Sequence, residues 1–281
     1  MSFLDKLRAA QDQNDSWLCV GLDPSSEQMP VGIDVFTLNK RIIDATIDLV
    51  CAYKLNLDFY LAYGLEGVKA LQDIIAYIPE HLPTVLDAKF GDVGYTATHS
   101  ARAAFEVFKA DAVTLNPYVG MDAVTPFLAY PGKMVFVLVR SSNTTGNDFQ
   151  CWPSDKAPLF RYVTAQLNTL AEQYPDQIGA GVAATQPRDL IQIRSWAPAL
   201  PFLIPGLGMQ GGDLQQAIEH GVTRTGIGPL ISVTRSIIYA SQEQDFADAA
   251  RAAALDWVSH IRSLKESYYE QTNYKRDSTG T

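Results

Sequence analysis

Histidine and cysteine are scarce in this sequence: 281 residues include 4 histidines and 3 cysteines. The cysteines, Cys19, Cys51 and Cys151, are scattered and odd in number, and no C-x-x-C pair occurs. That excludes a disulfide framework and a cysteine-based zinc site, and leaves thiols in a reducing compartment. His81, His99, His220 and His260 are dispersed and share no ligand set, so surface or capping roles are expected. Long apolar runs are missing too, and none approaches the roughly 20 residues that cross a bilayer. The opening segment, "MSFLDKLRAAQDQND", is amphipathic and lacks the apolar centre of a signal peptide. Basic charge is in deficit, with 22 Lys and Arg against 31 Asp and Glu and a net charge of −9. This argues against a nucleic-acid binder, which carries a basic face, but leaves room for a local cationic site for a small phosphorylated molecule. The expectation is a cytoplasmic protein with no nucleic-acid or membrane partner.

What is present is an ordinary apolar content of 47%, enough for a substantial core. Short β-branched runs alternate with segments of helical period. The strands expected are 17–23, 51–56, 84–89, 112–118, 134–140, 178–184, 201–206 and 229–235. Helical patterns lie between them, for instance over 36–50, 63–78 and 157–174. The runs do not alternate strictly, so both faces should be buried, as in a parallel sheet. Such β and helical units in about 250 residues fit a (β/α)8 barrel, with an open doubly wound sheet as the rival. No linker or repeat divides the chain, which is therefore expected to be one domain over 1–281, with a polar tail from about 268. Two loops stand out: "SSNTTGNDFQCWPSDK" at 141–156 and "GLGMQGGD" at 206–213. Long loops in compact domains are usually functional. Trp152, in the first of them, reads as a packed loop aromatic.

The stretch "TVLDAKFGDVGYT" ends an apolar strand with Asp87, Lys89 and Asp92. Residues two apart on a strand share a face, so Asp87 and Lys89 point one way while Leu86 and Ala88 point the other. Lys54 and Asn56 are related in the same manner on the second strand, and Asp23 closes the first. At the carboxyl ends of barrel strands, that face looks into the mouth where active sites form. Lys54, Asp87, Lys89 and Asp92 would bring together two cations and two anions, each keeping its neighbours ionised. A protonated lysine held by carboxylates suits delivering a proton to a developing carbanion. It suits Schiff-base chemistry poorly, because that needs a neutral amine. The lysines would also compete with any metal cation at the aspartates. Farther along, "PGLGMQGGD" offers backbone N–H groups at a helix start, and Arg235 ends the eighth strand. Loops after strands seven and eight are where barrels commonly hold phosphate.

Together these stretches resemble the orotidine 5′-monophosphate decarboxylase family, and the longer bacterial subgroup in particular. The resemblance spans nearly the whole chain: "GLDP" at 21–24, "YKLN" at 53–56, "LDAKFGDVGYT" at 86–96, "NPYVGMDAVTPF" at 116–127, "SSN" at 141–143, "PGLGMQGGD" at 205–213 and "TRSIIYA" at 234–240. It implies decarboxylation to uridine 5′-monophosphate without cofactor or metal, the last step of de novo pyrimidine synthesis. It also implies a homodimer with shared active sites. Lys89 would protonate C6 as carbon dioxide leaves, with Asp87 near the departing carboxylate. Asp23 and Lys54 match ribose contacts, Ser142 the pyrimidine contact beside the equally placed Ser141, and Gln210 and Arg235 the phosphate grip. Asp92, with Val93 and Thr96, would reach in from the partner subunit. Phe90 and Tyr95 depart from the more polar residues expected there. Two alternatives stand beside this reading. One is a metal-dependent relative acting on a sugar phosphate, which would need an acid where this chain has Lys54. The other is a non-catalytic nucleotide-binding barrel, which would have no use for costly charges.

Overall fold

The computed structural model describes residues 1–153 and 157–279, and side chains as far as residue 270. Eight parallel strands close into a barrel in sequence order. They are β1 (Leu18–Gly21), β2 (Ala52–Asn56), β3 (Thr84–Phe90), β4 (Ala112–Leu115), β5 (Met134–Arg140), β6 (Ile178–Val182), β7 (Phe202–Ile204) and β8 (Leu230–Val233). Each falls within or beside an expected run. The closing pair joins β8 to β1 through Leu18↔Ile231 and Val20↔Val233, which rules out the open sheet. Most strand residues are buried, consistent with a sheet covered by helices outside and filled by side chains inside.

Helix Phe3–Gln13 closes the amino-terminal end of the barrel. Ser2 and Asp5 form a reciprocal capping box that starts it. Phe3, Leu4 and Leu7 then join Cys19, Val85, Met134 and Phe136 in an apolar plug. Phe3 meets Phe136 edge to face at 5.6 Å. The cavity lies at the other end, lined by residues at the carboxyl ends of the strands.

Several segments depart from the sequence reading. After β4 the chain makes three short 3-10 helices, Pro117–Val119, Met121–Ala123 and Thr125–Ala129. Pro117 and Pro126 start two of them, and Gly120 (φ +122°) separates the first pair in a conformation that favours glycine. β8 stops at Val233, so Arg235 opens a helical turn, Arg235–Ile238, instead of ending the strand. The backbone of the polar tail continues the last helix, Phe246–Thr279, and Tyr268 packs partly against the core. Trp152 is 69% exposed rather than packed. Residues 154–156 of its loop lie outside the described residues. Phe90 stacks on Phe127 at 6.3 Å, while Tyr95 is exposed and meets the His99 ring edge to face at 5.1 Å.

Candidate active site

The first three strands end in a row of alternating charges. Asp23 follows β1 and is buried. Its Oδ1 accepts from the Asn56 N–H at 2.9 Å, and its Oδ2 lies 3.2 Å from both Lys54 Nζ and Thr234 Oγ1. Lys54, on β2, is also buried and sits 3.3 Å from Asp87 Oδ2. Asp87, on β3, takes Lys89 Nζ on Oδ1 at 2.7 Å. The order is therefore Asp23, Lys54, Asp87, Lys89, with opposite signs in contact throughout.

Burial by itself would neutralise these groups, so their partners decide their state. Desolvation opposes the Lys54 charge, yet Asp23 and Asp87 outweigh it and raise the ammonium above its ordinary range. Desolvation likewise pushes Asp87 upward, but Lys54 and Lys89 overcome it and bring the carboxyl down to about 2. Both stay charged at neutral pH. The Lys89 side chain is 48% exposed, against 6% for Lys54 and 12% for Asp87. It is the end of the row that faces open space.

Lys89 reaches this position by an irregular route. The β3–β4 register shifts between Leu86 and Phe90, and Lys89 adopts a left-handed backbone with φ +48°. Such a conformation in a residue with a Cβ is strained and needs surrounding support.

The opposite wall comes from β5 to β8. Arg140, 2% exposed, fixes the loop after β5: its Nε donates to Asp189 at 2.7 Å and its guanidinium also bonds Gln150 and Asn147. Gln150 in turn donates to Ser141 Oγ at 2.9 Å. Ser141 is thereby engaged within its own loop, and Ser142 lines the cavity half-buried beside it. At the other end, Gln210 and Arg235 line the same cavity. Part of the glycine loop is bonded within itself. The N–H groups of Gly211, Gly212 and Asp213 donate to the carbonyls of Gly208, Gly206 and Ala184, and the Asp213 carboxylate caps the following helix. Those three donors are occupied, and a carboxylate stands at that helix start.

The cavity is about 530 Å³, and Phe136, Leu138, Leu203 and Pro205 give it apolar walls. Of the expected site residues, Asp23, Lys54, Asp87, Lys89, Ser142, Gln210 and Arg235 line it. Asp92, Val93 and Thr96 do not: all three are exposed, and the Asp92 carboxylate accepts from the neighbouring Val93 N–H at 2.7 Å. Asp23, not Asp92, completes the charge row within one chain. Thr114 is an addition that no motif marks, a lone hydroxyl in the apolar strand "AVTL" bonded to both Asp87 and Lys89. Arg140 is another, directly before the "SSN" already singled out. Among the described residues no histidine lines the cavity, and no cluster of three His, Cys, Asp or Glu side chains is arranged to hold a metal.

The model of the orotidine 5′-phosphate decarboxylase / HUMPS family matches residues 16–252. The chain belongs to this family. It is 44% identical to the orotidine 5′-phosphate decarboxylase of Thermomicrobium roseum, over 98% of this chain and all of that protein. It is 43% identical to the one from Cupriavidus metallidurans, over 91% of this chain and 96% of that protein. Among solved structures, the OMP decarboxylase of Leishmania donovani superposes with a TM-score of 0.82 at 35% identity, covering 94% of this chain and 99% of that one. The Methanocaldococcus jannaschii enzyme, 18% identical with a TM-score of 0.62, shares the fold.

Proposed function

We propose that this chain decarboxylates orotidine 5′-monophosphate to uridine 5′-monophosphate and carbon dioxide, the closing step of pyrimidine nucleotide synthesis. Family membership and the close relatives support the reaction. The observation that carries the assignment to residues is the Lys89 ammonium, held 2.7 Å from Asp87 at the open end of an otherwise buried charge row. In the reaction the bond from C6 to the carboxylate carbon breaks and its electron pair stays on C6. The proton on Lys89 Nζ moves to that carbon, carbon dioxide leaves, and water restores the lysine proton. A cation fixed beside the developing carbanion stabilises charge as it forms, without reorganising at the moment of reaction. Asp87, placed near the substrate carboxylate, orients the ammonium and disfavours the carboxylate's negative charge.

The remaining roles follow the cavity. Asp23 and Lys54 face the ribose, Ser142 the pyrimidine ring, and Gln210 with Arg235 the phosphate. Binding energy at the phosphate end then serves catalysis at the other end. No cofactor or metal is needed on this reading, since both Asp87 oxygens already face ammonium groups. The same contacts disfavour a metal-dependent sugar-phosphate reaction. The whole chain acts as one barrel domain, and a cytoplasmic setting fits a sequence in which no described helix is long and apolar enough to cross a membrane. The working unit is a homodimer in which Asp92, Val93 and Thr96 complete the partner's cavity, a reading supported by their exposure and by their absence from their own. Full activity in a species that sediments as a monomer would contradict that sharing. For the reaction, the test is turnover of orotidine 5′-monophosphate in heavy water. Uridine 5′-monophosphate carrying one deuterium at C6 is expected, and failure to form that nucleotide would overturn the assignment.

A further inference from the structure

Thr114 occupies an unusual position between the two catalytic groups of β3. It is 6% exposed, lines the cavity, and sits on β4 where the ladder with β3 is broken. Its hydroxyl donates to Asp87 Oδ1 at 2.8 Å and accepts the Lys89 backbone N–H at 2.9 Å. Lys89 Nζ returns to the same Asp87 oxygen at 2.7 Å. These three bonds close a ring through backbone, hydroxyl, carboxylate and ammonium. Regular pairing resumes immediately afterwards, where the Asn116 N–H donates to the Phe90 carbonyl at 2.8 Å.

The ring answers two physical needs. A left-handed backbone at a lysine persists only when its surroundings hold it, and the Lys89 N–H, turned away from an ordinary ladder partner, needs an acceptor. The Asp87 carboxylate must also keep a fixed orientation, because Lys54 and Lys89 approach different oxygens of it. One hydroxyl meets both needs, and no other side chain bonds to both residues among the hydrogen bonds of this site.

We propose that Thr114 is a positioning residue that keeps Lys89 in its left-handed conformation and holds Asp87 in register with it, so that the ammonium faces the reacting carbon. The proposal rests on the decarboxylase reading and deepens it. Valine has nearly the shape of threonine without the hydroxyl, and serine keeps the hydroxyl without the methyl. Thr114→Val should lower kcat about a hundredfold, the scale of a small misplacement of a reacting group, while the dissociation constant for uridine 5′-monophosphate stays within about threefold. Thr114→Ser should return kcat to within about fivefold of the parent protein, because it restores both hydrogen bonds. If the valine protein does not fold, Thr114→Ala against Thr114→Ser makes the same comparison. A valine variant with kcat within about threefold of the parent, or a serine variant as slow as the valine one, would overturn the role. Amide exchange at Lys89 separates this from the functional reading. Protection present in the parent and serine proteins and lost in the valine one supports the ring even if the parent fails to turn over the nucleotide. Equal protection in all three removes it.

Discussion

Asp87 and Asp111 are held by the same kinds of side chain at opposite ends of the barrel. Asp87 has Lys54, Lys89 and the Thr114 hydroxyl around it. Asp111, just before β4, has Lys6 at 2.9 Å, Lys133 at 3.6 Å and both the N–H and hydroxyl of Thr84. The residue types match, yet the settings differ. Lys6 comes from the helix that plugs the barrel, and Lys133 also donates to the Ala110 carbonyl, so the lower cluster ties elements together. Neither of those lysines lines the cavity, and their side chains are 11% and 26% exposed. At the upper end Lys89 is 48% exposed and meets a cavity of about 530 Å³. On the proposed reading, a lysine–aspartate–lysine cluster is structural or reactive according to whether one ammonium keeps an open side toward a substrate.

The sharpest break in the comparison should come from Lys89→Ala. Turnover of orotidine 5′-monophosphate should fall by about 10⁴-fold or more, while binding of uridine 5′-monophosphate remains measurable by calorimetry. Lys54→Met should follow, costing about 3–5 kcal/mol of stability in urea unfolding, because Asp23 and Asp87 lose the buried cation between them. An unfolding midpoint equal to the parent's would show that the row does not depend on Lys54. Arg235→Ala should act at the far end of the cavity, raising KM about 10- to 100-fold for the nucleotide. Orotidine without the phosphate should be turned over equally by parent and variant, and an equal loss on both substrates would remove Arg235 from the phosphate grip.

Much of the upper cluster is legible in the sequence, for a specific reason. Asp87 and Lys89 lie two apart at the end of an apolar run, Lys54 repeats the arrangement on the preceding strand, and Asp23 closes the first. Barrel topology suffices to bring such strand ends to one mouth, although Lys89 arrives there through a left-handed backbone and not by regular alternation. The strands themselves were legible because double-faced burial leaves continuous β-branched runs. Other features depend on backbone detail that residue identity does not carry. The left-handed turn at Lys89 is one, since lysine gives no sign of favouring positive φ. Thr114 is another, because a single threonine in "AVTL" is an ordinary strand residue until its neighbour's bulge turns an N–H toward it. The glycine loop suggested free amides, but its carbonyls at Gly206 and Gly208 take two of them. Asp92 carries the motif's spacing and yet is exposed and lies outside the cavity of its own chain, a placement that spacing alone does not reveal.

On the proposed reading the cavity, not the residue types, makes the upper cluster reactive, and one assay on two conservative changes tests this most directly. Asp87→Asn and Asp111→Asn should be purified together and compared for turnover of orotidine 5′-monophosphate. A loss of about a thousandfold is expected for Asp87→Asn, since Lys89 and Lys54 lose the charge that organises them. Turnover within about twofold of the parent is expected for Asp111→Asn, whose cost should appear only as a lower thermal midpoint. Equal turnover by the two variants would show that the open cavity does not set the two clusters apart.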